Sequence, residues 1–388
     1  MDNMRKRAYI IAAFYSYSYD VRIRYVAPCL EKLGFEVKVI TSNFDHRNKK
    51  KYEIDKSDVD IISVPEYKSN LSIKRIRSHY VYAKHVYKLL NDERPDLIYV
   101  ITPPNFLFSF VGKFRKKNDS IVIFDIDDVW PESLPIGGTI KKLSTPILKI
   151  WSGLRDHNLK YADGVICECN LFKNIISANC GKAMIETIYM CKRDYGCIGT
   201  PTVIKDNVLS FAYIGSINNI IDIDFIISFL SEINNYKTVS LDIIGNGEKS
   251  DDLIDELQKR DILYTYHGAI YDNQEKNKIL RECQFAINVM KPSVTVGATM
   301  KSLEYFHWGL ALINNIPADT EDIVNTEKCG FNITPDNFKD VAMKLAQMTN
   351  TEIEMMKKNS RKVFLSYFEE QVVVEKFLEF LNIVLNQK

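Results

Sequence analysis

Most of the usual functional signatures are missing from this sequence. No stretch approaches 18 consecutive apolar residues, so no transmembrane helix is expected. The apolar start "AYIIAAF" is too short for a signal peptide and runs into polar tyrosines and serines, which reads as a first strand. None of the eight cysteines forms a C-x-x-C pair, and most lie within apolar or helical stretches; they read as reduced thiols of a cytoplasmic protein. G-x-S-x-G, H-E-x-x-H and P-loop motifs are absent, as is any low-complexity tract, which excludes a disordered or fibrous chain. A formal net charge of +1 by itself says nothing about partners, and no nucleic acid is expected among them.

What is present is an α/β pattern that occurs twice. At 388 residues the chain suits two domains. Short β-rich runs, apolar on both faces, alternate with helical stretches: "AYIIAAF", "EVKVIT", "DIISVP", "DLIYVIT", "SIVIFDI" and "GVICEC" in the first half. After an irregular segment at 191–208, a candidate linker, the pattern resumes with "LSFAYIGS", "SLDIIGNG", "LYTYHGAI", "FAINVM", "LALIN" and "GFNIT". The expected organisation is two doubly wound, Rossmann-like domains over 1–195 and 205–365. An amphipathic C-terminal helix over 366–388 completes it. Parallel sheets of this kind bind ligands beyond the carboxyl ends of their strands, so a central cleft becomes the expected site.

Within the second half, "TMKSLEYFHWG" (299–309) sets Lys301 and Glu304 three positions apart among apolar and aromatic neighbours. If Gly309 stops the helix, it starts near Thr299 and Lys301 falls in the first turn, where the macrodipole disfavours a cation unless an anion is bound there. Gly297, Thr299 and the first-turn amides then form a phosphate site to which Lys301 adds a full charge, while Glu304 faces a ribose diol; the alternative is an i,i+3 ion pair of Lys301 with Glu304 on a solvated face. The strand-end glycines of "YIGS" (Gly215, with Ser216) and "IIGNG" (Gly245, Gly247) fit either a diphosphate cradle or tight turns. In the first half, "DIDDVWPESLP" carries Asp125, Asp127 and Asp128 past a strand end. A D-x-D pair could chelate a divalent ion, but the second half supplies its own cationic phosphate site and no metal is expected. Asp128 is the candidate for taking a proton, and Asp127 and Glu132 are candidates for binding acceptor hydroxyls. The alternative is turn and capping duty for Asp128 and Ser133. Arg22 and Arg24 meet phosphate or acceptor at the cleft edge, or are surface arginines.

These motifs, "RYVAPCLEKLGFEVKVIT", "DVWPESL", "YIGS", "IIGNG", "HGAI" and "KSLEYFHWGLALI", together resemble the GT-B glycosyltransferases of family 4, particularly bacterial enzymes of capsule or exopolysaccharide synthesis. The resemblance implies a retaining transfer, without an essential metal, from a nucleotide-sugar donor (a UDP-sugar favoured) held by the C-terminal domain. It implies an acceptor, lipid-linked or a growing polysaccharide, on the N-terminal domain, and a final helix crossing back to that domain. Glu304 matches the second of two glutamates spaced eight apart in the family, and the first falls on Val296. The segments 68–90, with six Lys or Arg and no acid, and 141–160, with five against Asp156, suggest either contact with the anionic inner membrane face or two helices that cover a sheet and carry solvated lysines. Two further readings fit the same motifs. A nucleotide-sugar epimerase would act on donor alone, and a non-catalytic partner subunit would bind nucleotide without turnover.

Overall fold

A computed structural model describes residues 5–15, 21–52, 58–70, 72–134, 138–196 and 207–387. The chain divides into two compact units, Met1–Tyr189 with Val374–Lys388, and Met190–Val373. The expected linker therefore starts inside the second unit, and its residues 197–206 lie outside the described ones, as do 16–20 of the tyrosine- and serine-rich first loop.

The first unit begins with β1 (Lys6–Ala12), apolar on both faces after its first two residues, as a central parallel strand must be. Helix α1 (Val21–Lys32) returns the chain to β2 (Phe35–Ser42), and Gly34, at φ +89°, makes the turn. A two-residue hairpin, β3 (Phe44–Asp45) with β4 (Lys50–Lys51), precedes β5 (Val59–Ile62) and α2 (Ile73–Glu93). There follow β6 (Leu97–Thr102), α3 (Phe106–Arg115), β7 (Ile121–Ile126), α4 (Gly138–Asp156), β8 (Gly164–Cys167), α5 (Asn170–Ile176) and β9 (Met184–Thr187). The parallel sheet runs β5-β2-β1-β6-β7-β8-β9. Its order reverses between β1 and β6, which defines the crevice at their carboxyl ends. The edge strand β9, "MIET", is absent from the sequence reading because it is only half-buried and carries no continuous apolar run.

The second unit repeats the plan with β10 (Val208–Ile214), α6 (Ile223–Asn234), β11 (Thr238–Ile244), α7 (Ser250–Lys259), β12 (Leu263–Gly268), α8 (Asn273–Leu280) and β13 (Phe285–Asn288). Helix α9 (Met300–His307), β14 (Ala311–Asn314), α10 (Asp319–Glu327), β15 (Gly330–Asn332), α11 (Phe338–Gln347) and α12 (Asn350–Val363) complete it. Its parallel sheet is ordered β12-β11-β10-β13-β14-β15, with the reversal between β10 and β13. The last helix, α13 (Glu370–Asn386), belongs to the first unit from Val374 onward, where Phe377 packs edge-on to Tyr25 and Tyr99 and Phe380 lies against Gly164.

Candidate functional site

In the second unit the residues of α9 are brought to the strand-order reversal by tyrosine and asparagine anchors. The hydroxyl of Tyr305 accepts from the Ile214 amide at 2.9 Å and donates to the Ile287 carbonyl at 3.0 Å, tying α9 to the ends of both β10 and β13. Thr299 caps the helix, taking the Ser302 amide at 2.9 Å, while Ser302 Oγ accepts from the Thr299 amide at 3.1 Å. The Thr299 hydroxyl also donates to Asn288 Oδ1 at 3.1 Å, at the carboxyl end of β13. The preceding loop is fixed as well: the Gly297 carbonyl accepts from the amide and hydroxyl of Thr320, and Val296 packs against the core. The amides of Met300 and Lys301 open the helix with no intrahelical acceptor.

Lys301 lies where the first-turn position implies. Its stem passes over Gly215, where an added Cβ would stand 3.1 Å from Lys301 Cε. Its ammonium donates to Tyr213 Oη at 2.5 Å, and that hydroxyl donates onward to the Ser216 carbonyl at 2.8 Å. Among the described residues no carboxylate pairs with Lys301, and burial brings its pKa down to about 7. A desolvated ammonium without a counter-ion is costly to keep charged, and an anionic ligand would restore the balance.

Glu304 does not pair with Lys301. Burial works against its charge, but Lys192 and Lys276 outweigh it and take the carboxyl down to about 2. Lys276 Nζ lies 3.2 Å from Oε1, Lys192 pairs with Oε2, and the Trp308 indole donates to Oε1 at 3.1 Å. Both lysines escape sequence reasoning, because they stand 28 and 112 residues from Glu304 and no short motif links such positions. The local arrangement therefore gathers three ammonium groups and one carboxylate along one face of α9.

The strand-end glycines serve packing, which corrects the cradle reading for Gly215 and Gly245. The Gly215 amide donates to the Ile244 carbonyl at 2.9 Å and the Gly245 amide to the Gly268 carbonyl at 2.7 Å, so neither is left for a phosphate. A Cβ at Gly245 would meet the Gly215 carbonyl oxygen at 2.0 Å, and one at Gly247 the Ile217 oxygen at 2.1 Å. These loops need glycine because two backbones touch.

The first unit also departs from expectation. Arg22 is not at an edge: it is 1% exposed, while Arg24 two residues on is exposed. Burial opposes its charge, yet Asp125 prevails and holds the guanidinium above its ordinary pKa. Its Nε lies 3.3 Å from Asp125 and 3.4 Å from Asp127, and Nη2 donates to the Ile188 carbonyl at 2.7 Å. Arg22 thus binds α1 to the strand ends instead of facing an acceptor. Glu132 is likewise occupied, forming two bonds of 2.7 and 2.9 Å to Arg155, which is 2% exposed. Asp128 accepts from the Trp130 indole at 2.7 Å and from Ser133, the loop-holding duty foreseen as its alternative, and burial raises its pKa. Glu132→Gln is expected to destabilise the protein by about 1–2 kcal/mol, since the pair is partly solvated and Asp156 remains beside Arg155. A melting curve checks this.

Residues 20–191 match the family model described as Glycosyltransferase Family 4, and residues 209–351 match that described as Glycosyl transferases group 1. No curated protein matches the sequence significantly. Solved structures resemble the chain over nearly its whole length. Sucrose-phosphate synthase from Thermosynechococcus elongatus has a TM-score of 0.71 at 12% identity, covering 99% of this chain and 100% of its own. A glycosyltransferase from Rickettsia africae gives 0.66 at 14%, covering 99% and 100%. Anabaena HepE in complex with UDP-glucose gives 0.65 at 11%, covering 97% and 99%. Two parallel-sheet units, each carrying a glycosyltransferase domain, make this chain a glycosyltransferase of the GT-B fold.

Proposed function

We propose that the chain transfers a hexose, with retention of configuration and without a metal, from a UDP-sugar to a lipid-linked or growing polysaccharide acceptor in the synthesis of cell-surface polysaccharide such as capsule. The observation that carries the donor half is Lys301, half-buried over Gly215 at the reversal of strand order and, among the described residues, paired with no carboxylate. Departure of a nucleoside diphosphate concentrates negative charge on its terminal phosphate. Lys301 and the first amides of α9 are the preorganised donors for that charge. Glu304 takes the ribose hydroxyls, in exchange for or alongside Lys276 and Lys192. Of the first-unit carboxylates, Asp127, paired with Arg22 but partly exposed, and Asp128, held by Trp130 and Ser133, are the candidates for meeting the acceptor. No described helix is long and apolar enough to cross a membrane, and the acceptor would be met at an anionic cytoplasmic membrane face through α2 and α4.

The test is a thermal-shift series with UDP-, GDP- and dTDP-sugars. UDP-sugars should raise the melting temperature in a saturable way, and the others less. No stabilisation by any of them would sink the donor assignment.

A further inference from the structure

The first unit holds a cavity of about 270 Å³ that the donor chemistry does not use. Its walls are Ile73 and Ile76 on α2, Trp151 on α4, and Trp130 and Leu134 in the loop after β7. The helices that wall it also carry exposed apolar residues: Ile73 on α2 is 84% exposed, and Ile147 and Ile150, four residues and one residue before Trp151 on α4, are 67% and 72% exposed. Exposed isoleucines on both helices that wall one cavity point to an apolar ligand more than to water.

The polar side of this cavity is cationic. Arg75, 8% exposed, lies 4.4 Å over the Trp130 ring and 5.9 Å from the Tyr67 ring. It donates to the Asn70 carbonyl at 2.9 Å and to His79 at 3.4 Å. Lys49 approaches the same Tyr67 ring at 5.1 Å, held by Asn70 and the His46 carbonyl. Among the described residues neither cation has a carboxylate within ion-pair distance, and Asp128 and Asp45 act on them only from further away. Burial first and then Arg75 lower the pKa of both His46 and His79, with Lys49 adding to the effect on His46, so both stay neutral. A buried guanidinium in the wall of an apolar cavity shares the Tyr67 ring with an ammonium that reaches this wall through Asn70. That combination lacks one component, an anion carrying a hydrocarbon chain.

We infer that this cavity binds the phosphate-bearing hydrocarbon anchor of the acceptor, with the phosphates at Arg75 and Lys49 and the first part of the chain between α2 and α4. The inference deepens the acceptor half of the proposed function and rests on it. It accounts for why a segment rich in lysine and arginine also exposes isoleucine: charge and apolar surface serve the two ends of one ligand.

Two of the three tryptophans line the cavity, so intrinsic fluorescence reads its occupancy. Monomeric farnesyl diphosphate is expected to change the emission saturably, with an affinity at least about tenfold above that of either farnesol or inorganic diphosphate, because only it engages both halves. Arg75→Gln should remove about tenfold of the farnesyl diphosphate affinity and leave farnesol unchanged. Because Arg75 is packed on Trp130, a second variant decides if that one fails to fold. Ile73→Glu sits on an exposed position in the first turn of α2, where an acid suits the helix, and should repel the anion by a similar factor. Equal binding of farnesol and farnesyl diphosphate, indifference to both variants, or a response only to phosphatidylglycerol vesicles would each overturn the inference. UDP titrated into the same samples reports the second unit. Intact UDP binding with no amphiphile binding rejects this site and leaves the nucleotide assignment standing.

Discussion

Lys301→Ala is expected to slow sugar transfer by about a hundred- to a thousandfold and to weaken UDP-glucose binding by about ten- to a hundredfold. The first range is that of removing one preorganised donor to a developing anion, and the second that of one charge-assisted hydrogen bond. The larger effect on rate follows because the phosphate carries more charge as it leaves than in the intact donor. The same lysine gives the reaction a pH signature. Its pKa in the unliganded protein stands at about 7, and a bound diphosphate raises it. Binding is therefore strongest while the free site is protonated, below pH 7. It weakens about tenfold for each unit above 7 until the liganded pKa is reached. UDP-glucose is the right probe, since it has no phosphate group titrating in this range. The variant should show no such slope. Without ligand the sign reverses: the unfolded lysine keeps its proton up to about 10.4. The unfolded state thus binds more protons between 7 and that value, and stability rises with pH across the window. Removing the lysine relieves the cost present below 7. The unliganded variant should accordingly melt no lower than the parent at pH 6 while losing activity. A variant that lost stability and activity together would argue for a merely structural lysine.

The second large effect falls on Gly245. Its φ of +150° is one that side chains rarely adopt, and a methyl group there would stand 2.0 Å from the Gly215 carbonyl oxygen. No rotamer change relieves a clash with backbone, so the loops after β10 and β11 must separate, with loss of the bonds from Gly215 to Ile244 and from Ile217 to Asn246. Gly245→Ala is expected to cost about 4 kcal/mol or more, at the diagnostic end of single substitutions. Gly34 provides the control. Its φ of +89° is equally unsuited to a side chain, but nothing lies within 4 Å of an added Cβ, so Gly34→Ala should cost only about 1–2 kcal/mol. Chemical denaturation of both variants measures the difference. Similar losses at the two positions would show that backbone conformation, and not contact between the loops, sets the need for glycine at 245.

Legibility from sequence followed the range of the interactions. The central strands announced themselves because a parallel strand buried on both faces has to be apolar throughout, as in "DLIYVIT" and "SIVIFDI". Helix α9 was legible because its end signals are local: Thr299 at its start and Gly309, at φ +62°, at its end lie within one short segment. The placement of Lys301 against the helix dipole was readable for the same reason. What could not be read was the partner of each charge. Arg22 looked exposed in "DVRIRYV", yet Asp125, more than a hundred residues later, takes it into the core. Lys192 and Lys276 gave no sign of converging on Glu304, and the glycines of "IIGNG" gave no sign of whether ligand or backbone approached them. The sequence by itself determined two parallel α/β units and a cation at the head of one helix, since periodicity and capping are local. Only the tertiary structure decided which partner each carboxylate takes, which glycines are structural and where, among the described residues, a guanidinium lies buried without a paired acid, because those depend on which distant residues the sheets bring within a few ångströms.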